Sequence, residues 1–358
     1  MSRRRTPALA ILLASIAAAH APDTTYAPVL PGYALQFPRD FGSHPQFRTE
    51  WWYLTGWLRT AAGAPLGFQI TFFRDRPDIW RGNPSAFTPR QVLIAHCALA
   101  DPAHRRLWRA QRIERAGFDL AGARTGDTAV WIGRWRLARE RGVYHARCAG
   151  ARFALDLAAT PSEPPLPNGA DGYSRKGPDP YAASEYYSIP QLRIAGRVIR
   201  AGRAAAVVGD AWLDHEWSSA YLDRGAVGWD WIGIDLNDGG SLMAFRIRGG
   251  NGATIWAGGT LRGAHGRVRV LAPGDVRFSA LRRWRSPRTG VRYPVEWRVR
   301  AGDRRLTLRP LLDDQENDAR ATSGALYWEG AVRAYAGGRI VGHGYLELTG
   351  YGAPLRLH

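Results

Sequence analysis

Apolar and polar residues alternate one by one along much of the chain. Val295, Trp297 and Val299 are interleaved with Glu296, Arg298 and Arg300, and Leu306 and Leu308 with Arg305, Thr307 and Arg309. A period of two sends each set to its own face of an extended strand, so these runs predict antiparallel strands buried on one side. They are separated by turn-forming clusters such as Asn237-Asp238-Gly239-Gly240 and Ala301-Gly302-Asp303. Helical periodicity is scarce, and the one extended loop-like stretch, residues 160–172, is too rich in proline to continue a sheet. The pattern predicts an all-β protein.

At 358 residues the chain exceeds one ordinary core, and its halves echo each other. Y-Y-S-I-P-Q-L-R-I-A-G and then V-V-G-D-A-W-L-D close the first half; Y-W-E-G-A-V-R-A-Y-A-G and then I-V-G-H-G-Y-L-E close the second. Trp212, Leu213 and Asp214 thereby correspond to Tyr345, Leu346 and Glu347, while the openings match Trp52 and Gly56 with Trp229 and Gly233. The repeat puts a seam near Asp214 and predicts two tandem antiparallel barrels of about eight strands each. Their spans are residues 20–214 and 215–358.

Residues 1–19 read as a signal peptide: Arg3, Arg4 and Arg5, an apolar run from Ala8 to Ala19, and small residues suited to cleavage after Ala19. A periplasmic or secreted location follows, the alternative being an uncleaved N-terminal membrane anchor. Loss of this segment removes three arginines and no acid, taking the net charge from +18 to +15. The arginines are spread along strand faces rather than gathered into a stripe, so no nucleic-acid partner is expected, and membrane contact is at most peripheral. Lys176 is the sole lysine. Export makes a bridge between Cys97 and Cys148 chemically possible, but the spacing does not decide it.

Residues 212–231 gather Trp212, Trp217, Trp229 and Trp231 around Asp214, His215, Glu216 and Asp230. On a strand, Asp214 and Glu216 share one face and His215 and Trp217 the other. His215 is the expected cavity-facing group, able to change charge near neutrality, with Asp214, Glu216 and Asp230 as further acid–base candidates. Trp217, Trp229, Trp231 and Trp52 are expected to stack on an apolar ligand, aided by Glu50, Tyr187 and Trp328. Arg48 is the expected ion partner of Glu50. A wholly structural role, with core tryptophans and paired charges, stays open. No metal site is expected, because the histidines and cysteines lack ligand spacing. No cofactor is expected either: the chain has no nucleophile elbow, phosphate loop or dinucleotide fingerprint.

Long motifs carry a family resemblance. F-P-R-D-F-G-S-H-P-Q-F-R-T-E-W-W-Y-L-T-G at 37–56, S-E-Y-Y-S at 184–188, G-D-A-W-L-D-H-E-W-S-S at 209–219, G-W-D-W-I-G-I-D-L at 228–236, D-Q-E at 314–316 and G-Y-L-E-L-T-G-Y at 344–351 resemble the AttH and carotenoid 1,2-hydratase family. The resemblance implies two lipocalin-like domains around a ligand cavity, with fungal pericyclases as relatives. His215 and Trp217 match the H-x-W of the hydratase branch. The acid of the following strand is missing, since Met243 and Phe245 stand in S-L-M-A-F-R-I-R. Pro190, Gln191 and Leu192 depart from the family's usual Arg-Leu. Two functions stay open. One is binding of a large apolar lipid, isoprenoid or polyene, with cofactor-free hydratase, isomerase or cyclase chemistry. The other is a non-catalytic carrier or accessory component of a lipoprotein-type ABC export permease.

Overall fold

The computed structural model describes residues 26–77, 85 and 87–355, and the expected signal segment at 1–19 lies outside them. Among the described residues there is no α-helix, only three single turns of 3-10 helix, at Arg39–Phe41, Pro102–His104 and Pro273–Asp275. The rest is antiparallel strand and turn, as the alternation predicts.

Two sheets, of 13 and 10 strands, follow one another along the chain. The first runs in the order Arg106–Arg115, Val92–Asp101, Pro65–Asp75, Thr49–Thr60, Arg203–Ala220, Ala183–Arg200, Phe153–Thr160, Val143–Ala149, Trp135–Glu140, Ala129–Ile132 and Ala121–Ala123. Its two ends come back into contact, which curls it into a nearly closed barrel. The second sheet runs Val268–Leu271, Thr254–Arg262, Ser241–Gly249, Ala226–Leu236, Arg339–Thr349, Ala325–Ala336, Arg304–Pro310, Arg292–Ala301 and Val276–Arg285, and its ends also approach each other. Each barrel fills its interior with the inward set of the alternation: Leu54, Ile70 and Leu157 in the first, Ile234, Val295 and Leu346 in the second. The sulfurs of Cys97 and Cys148 are bonded, joining strands that are not neighbours in the first sheet, with Cα atoms 6.3 Å apart.

A third apolar cluster joins the barrels. It takes Tyr53, Trp57, Tyr186 and Trp212 from the first sheet and Trp231, Met243, Phe245 and Tyr345 from the second. Trp57 Nε1 donates to the Gly344 carbonyl at 3.0 Å and Trp231 Nε1 to the Tyr186 hydroxyl at 3.0 Å. The approach is close enough that a Cβ on Gly67 would lie 2.6 Å from the Ala331 methyl, so glycine is required there.

The strand registers define the repeat more sharply than the sequence does. Tyr53 and Ser188 flank Asp214, and Trp231 and Glu329 flank Glu347 in the same way. Asp214 and Glu347 are therefore equivalent, as read from the sequence, but the partner of Trp229 is Trp51 rather than Trp52. The first strand is displaced by one residue from the expected alignment, which exchanges its two faces. The chain leaves the first sheet at Ala220 and enters the second at Ala226, so His215, Glu216 and Trp217 are part of the first barrel's wall.

Candidate functional site

The Arg203–Ala220 strand divides the Asp-His-Glu-Trp run between two environments. Asp214 and Glu216 point outward into a cavity between the barrels, while His215 and Trp217 point into the first barrel.

The cavity has a volume of about 300 Å³. Trp51, Tyr53 and Phe73 wall it from the first sheet and Trp229, Trp231 and Tyr327 from the second, with Tyr221 from the crossover. Asp214 accepts hydrogen bonds from Tyr186 Oη (2.7 Å), Ser188 Oγ (2.6 Å) and Trp212 Nε1 (2.6 Å). Burial nevertheless raises its pKa to about 7. Glu216 lies 2.8 Å from Lys176 Nζ and accepts a hydrogen bond from Ser184. The ammonium of Lys176 is fully enclosed, 4.7 Å from the ring centre of Phe245 and 5.1 and 5.2 Å from those of Tyr186 and Tyr221. Burial lowers the lysine's pKa and raises that of Glu216.

Opposite them, Glu329 and Glu347 are register partners on adjacent strands. Burial, and then the repulsion of Glu347, push the pKa of Glu329 well above the carboxyl range. Burial takes Glu347 to about 8, although Trp229 Nε1 donates to its Oε2 at 2.9 Å. Two facing carboxyls of this kind hold a proton at neutral pH. At the far side, Tyr327 and His96 Nδ1 are 2.6 Å apart and His96 Nε2 is 3.0 Å from Thr322 Oγ1. Burial lowers the His96 pKa to about 4, so its ring is neutral.

Inside the first barrel a second polar cluster surrounds Glu50. Its Oε1 meets His44 Nδ1 at 2.8 Å and His215 Nε2 at 2.9 Å; its Oε2 meets Arg74 Nε and Ser43 Oγ, each at 2.8 Å. Against the cost of burial, Arg74 and the two imidazoles hold this carboxylate well below its ordinary pKa. His215 stacks on Trp52 with ring centres 4.7 Å apart and meets Tyr187 Oη at 2.9 Å through Nδ1; His44 stacks on Trp217 at 3.6 Å. Burial lowers the His215 pKa to about 4. Ligand atoms of His44, Glu50 and His215 lie within 4.8 Å of one another. All three are committed to hydrogen bonds, and the positive charge beside Glu50 is the Arg74 guanidinium, so the group reads as a buried ion-pair network that pins residues 40–50 to the barrel.

Asp214, Glu216, Trp229 and Trp231 thus come together on the cavity wall. His215, Trp217, Trp52, Tyr187 and Glu50 do not: the pleat turns them into the first barrel, where packing and hydrogen bonds close them off. The partner of Glu50 is Arg74 rather than Arg48. Asp230 faces away from the cavity and is held by Arg246 at 2.6 Å, Arg248 at 3.3 Å and the Tyr351 hydroxyl at 2.8 Å. Trp328 is fully buried in the second barrel and donates to the Asp313 carbonyl at 2.7 Å. Tyr53, Glu329 and Glu347 were not among the expected site residues. The repeat held the signal for Glu347, as the counterpart of Asp214; Glu329 emerges only from the register that sets it opposite Glu347.

Two lipocalin-like β-barrels closing on a cavity lined by aromatic rings and carboxyl groups define the class of this protein. The chain belongs to the AttH-like family, whose model matches residues 28–351. It is 52% identical to an AttH-type protein from Nitrosomonas europaea, over 91% of this chain and 99% of that one, with a TM-score of 0.85 to its crystal structure. Kievitone hydratase from Nectria haematococca shares the fold at 14% identity, covering 93% of this chain and 97% of its own, with a TM-score of 0.70. CghA in complex with Sch210972 shares it at 12% identity, with the same coverage and a TM-score of 0.53. No protein of curated function matches the chain.

Proposed function

We propose that the protein binds an unsaturated apolar molecule in the interbarrel cavity and carries out cofactor-free hydration or isomerisation there. The observation that carries this reading is the buried Glu329–Glu347 pair facing Trp229 and Trp231. A carboxylic acid kept protonated by its surroundings can deliver that proton to a carbon–carbon double bond. The resulting cation would be stabilised by the indole faces. Addition of water and return of its surplus proton to the donor carboxylate gives an alcohol and restores the protein. Loss of a proton from a neighbouring carbon gives an isomer instead. Asp214, on the same wall and with its pKa raised by burial to about 7, would relay the returning proton.

A volume of about 300 Å³ sits at the lower end of small-molecule pockets. The occupant is a compact molecule or the reacting end of a longer lipid, isoprenoid or polyene. The kinship in fold with a hydratase agrees with this chemistry. The disulfide supports a location outside the cytoplasm, with residues 1–19 as the export signal.

The test has two steps. Native mass spectrometry of protein expressed in its source identifies what is retained, and that compound is then incubated with the protein in ¹⁸O-labelled water. Incorporation of label or double-bond migration, lost in Glu347→Gln, is the expected result. A retained compound that emerges unchanged from wild type and variant alike would make the protein a carrier.

A further inference from the structure

The cavity reverses the charge balance of the molecule around it. The chain has 49 lysines and arginines against 31 aspartates and glutamates. Yet the cavity wall carries Asp214, Glu216, Glu329 and Glu347 and, among the described residues, no arginine or lysine. Lys176 stands behind Glu216, boxed in by aromatic rings and ion-paired with that carboxylate. Glu329 is only 3% exposed, and the polar group beside its carboxyl is the Tyr53 hydroxyl rather than a basic side chain. An acid buried in this state is costly unless something in the cavity satisfies it. The same wall presents Trp51, Tyr53, Tyr221, Trp229 and Trp231, and the faces of such rings attract a cation.

We infer that the cavity is a cation site whose fitting occupant is an alkylammonium: an amine-bearing hydrocarbon takes up a proton held by the Glu329–Glu347 pair, and its charged end then lies between the resulting carboxylate and the indoles. This rests on the cavity's being a ligand site and deepens the reading above, because a carbocation and an ammonium ion ask for the same surroundings. An amine would be the natural ligand or a stable mimic of the charged intermediate; either way it outcompetes neutral and anionic molecules of equal size.

The experiment compares N,N-dimethyloctylamine, 1-octanol and octanoate at neutral pH, each below its aggregation limit, by isothermal titration calorimetry on the full chain. The expected order is amine at least tenfold tighter than alcohol, with octanoate not binding. The protein's net charge of +18 would favour octanoate in any non-specific association, so this order requires a local site. The Glu329→Gln/Glu347→Gln double variant, which exchanges two buried acids for amides of the same shape, should lose the preference. Equal or tighter binding of alcohol or octanoate would overturn the inference, as would a preference for amine that survives in the double variant. If the amine binds but no alkene is hydrated or isomerised, the cation site stands and the proposed reaction falls. If an alkene reacts and the amine does not bind, the reverse holds.

Discussion

Two buried glutamates in this protein are held in opposite states. Glu50 is ionised by Arg74 and two imidazoles, whereas Glu347 is kept protonated by burial. Their substitutions should therefore act in opposite directions. Glu50→Ala leaves the Arg74 guanidinium buried without its carboxylate, and a loss of roughly 3–5 kcal/mol is expected in urea denaturation. Glu347 has a higher pKa folded, about 8, than the ordinary 4.5. Between those values the folded chain binds more protons than the unfolded one, so stability falls as the pH rises through that window. Glu347→Gln removes the penalty and should gain roughly 1–3 kcal/mol over wild type at pH 9, with little gain at pH 4. Thermal melts at the two pH values read the difference, and equal shifts at both would contradict the assignment. His215→Gln should cost stability yet leave binding in the cavity unchanged, because the ring is sealed between Trp52, Tyr187 and Glu50.

At the scale of the strand, alternation fixes which side chains travel together but not what each face meets. Asp214 and Glu216 could be separated from His215 and Trp217 on the strength of a period of two alone. That the acids meet the cavity and the imidazole meets the barrel interior depends on where the second sheet docks, which no local pattern records. The alignment of Trp52 with Trp229 failed for a related reason. Both openings contain clustered tryptophans, and a displacement of one residue is invisible in a weak repeat but inverts the faces of a strand. Glu347 was legible through its correspondence with Asp214; Glu329 was not, since Ser188 occupies the equivalent place in the first copy. The two faces make a contrast that can be measured. Trp217→Ala should cost roughly 3–5 kcal/mol of folding stability, as for a core indole. Trp229→Ala, half-buried on the cavity wall, should weaken ligand binding while moving the denaturation midpoint far less. Equal effects of both substitutions on binding would return Trp217 to the cavity.

For the molecule as a whole, the all-β class and the tandem halves were legible because alternation and turn spacing recur throughout. The junction was not, because Tyr53, Trp57 and Tyr186 look like ordinary strand residues until the second sheet covers them. The Cys97–Cys148 bridge, left open by spacing, ties non-adjacent strands across the first barrel and encloses a chain separation of 51 residues. Replacing both cysteines with alanine should cost roughly 2–4 kcal/mol. Reduction of the wild type should bring its urea midpoint to that of the variant, and a wild type indifferent to reductant would show that the bridge contributes nothing.

The enclosure of Lys176 also gives the folded chain an unusual chemical silence. Its single ε-amine is 1% exposed, and no other lysine exists in the sequence. Amine-reactive reagents should therefore tag the folded protein only at its N-terminal amine. A second tag would arrive when the strands beside Glu216 part, so ordinary acylation kinetics become a clock for the opening of the cavity wall, with no engineered probe needed.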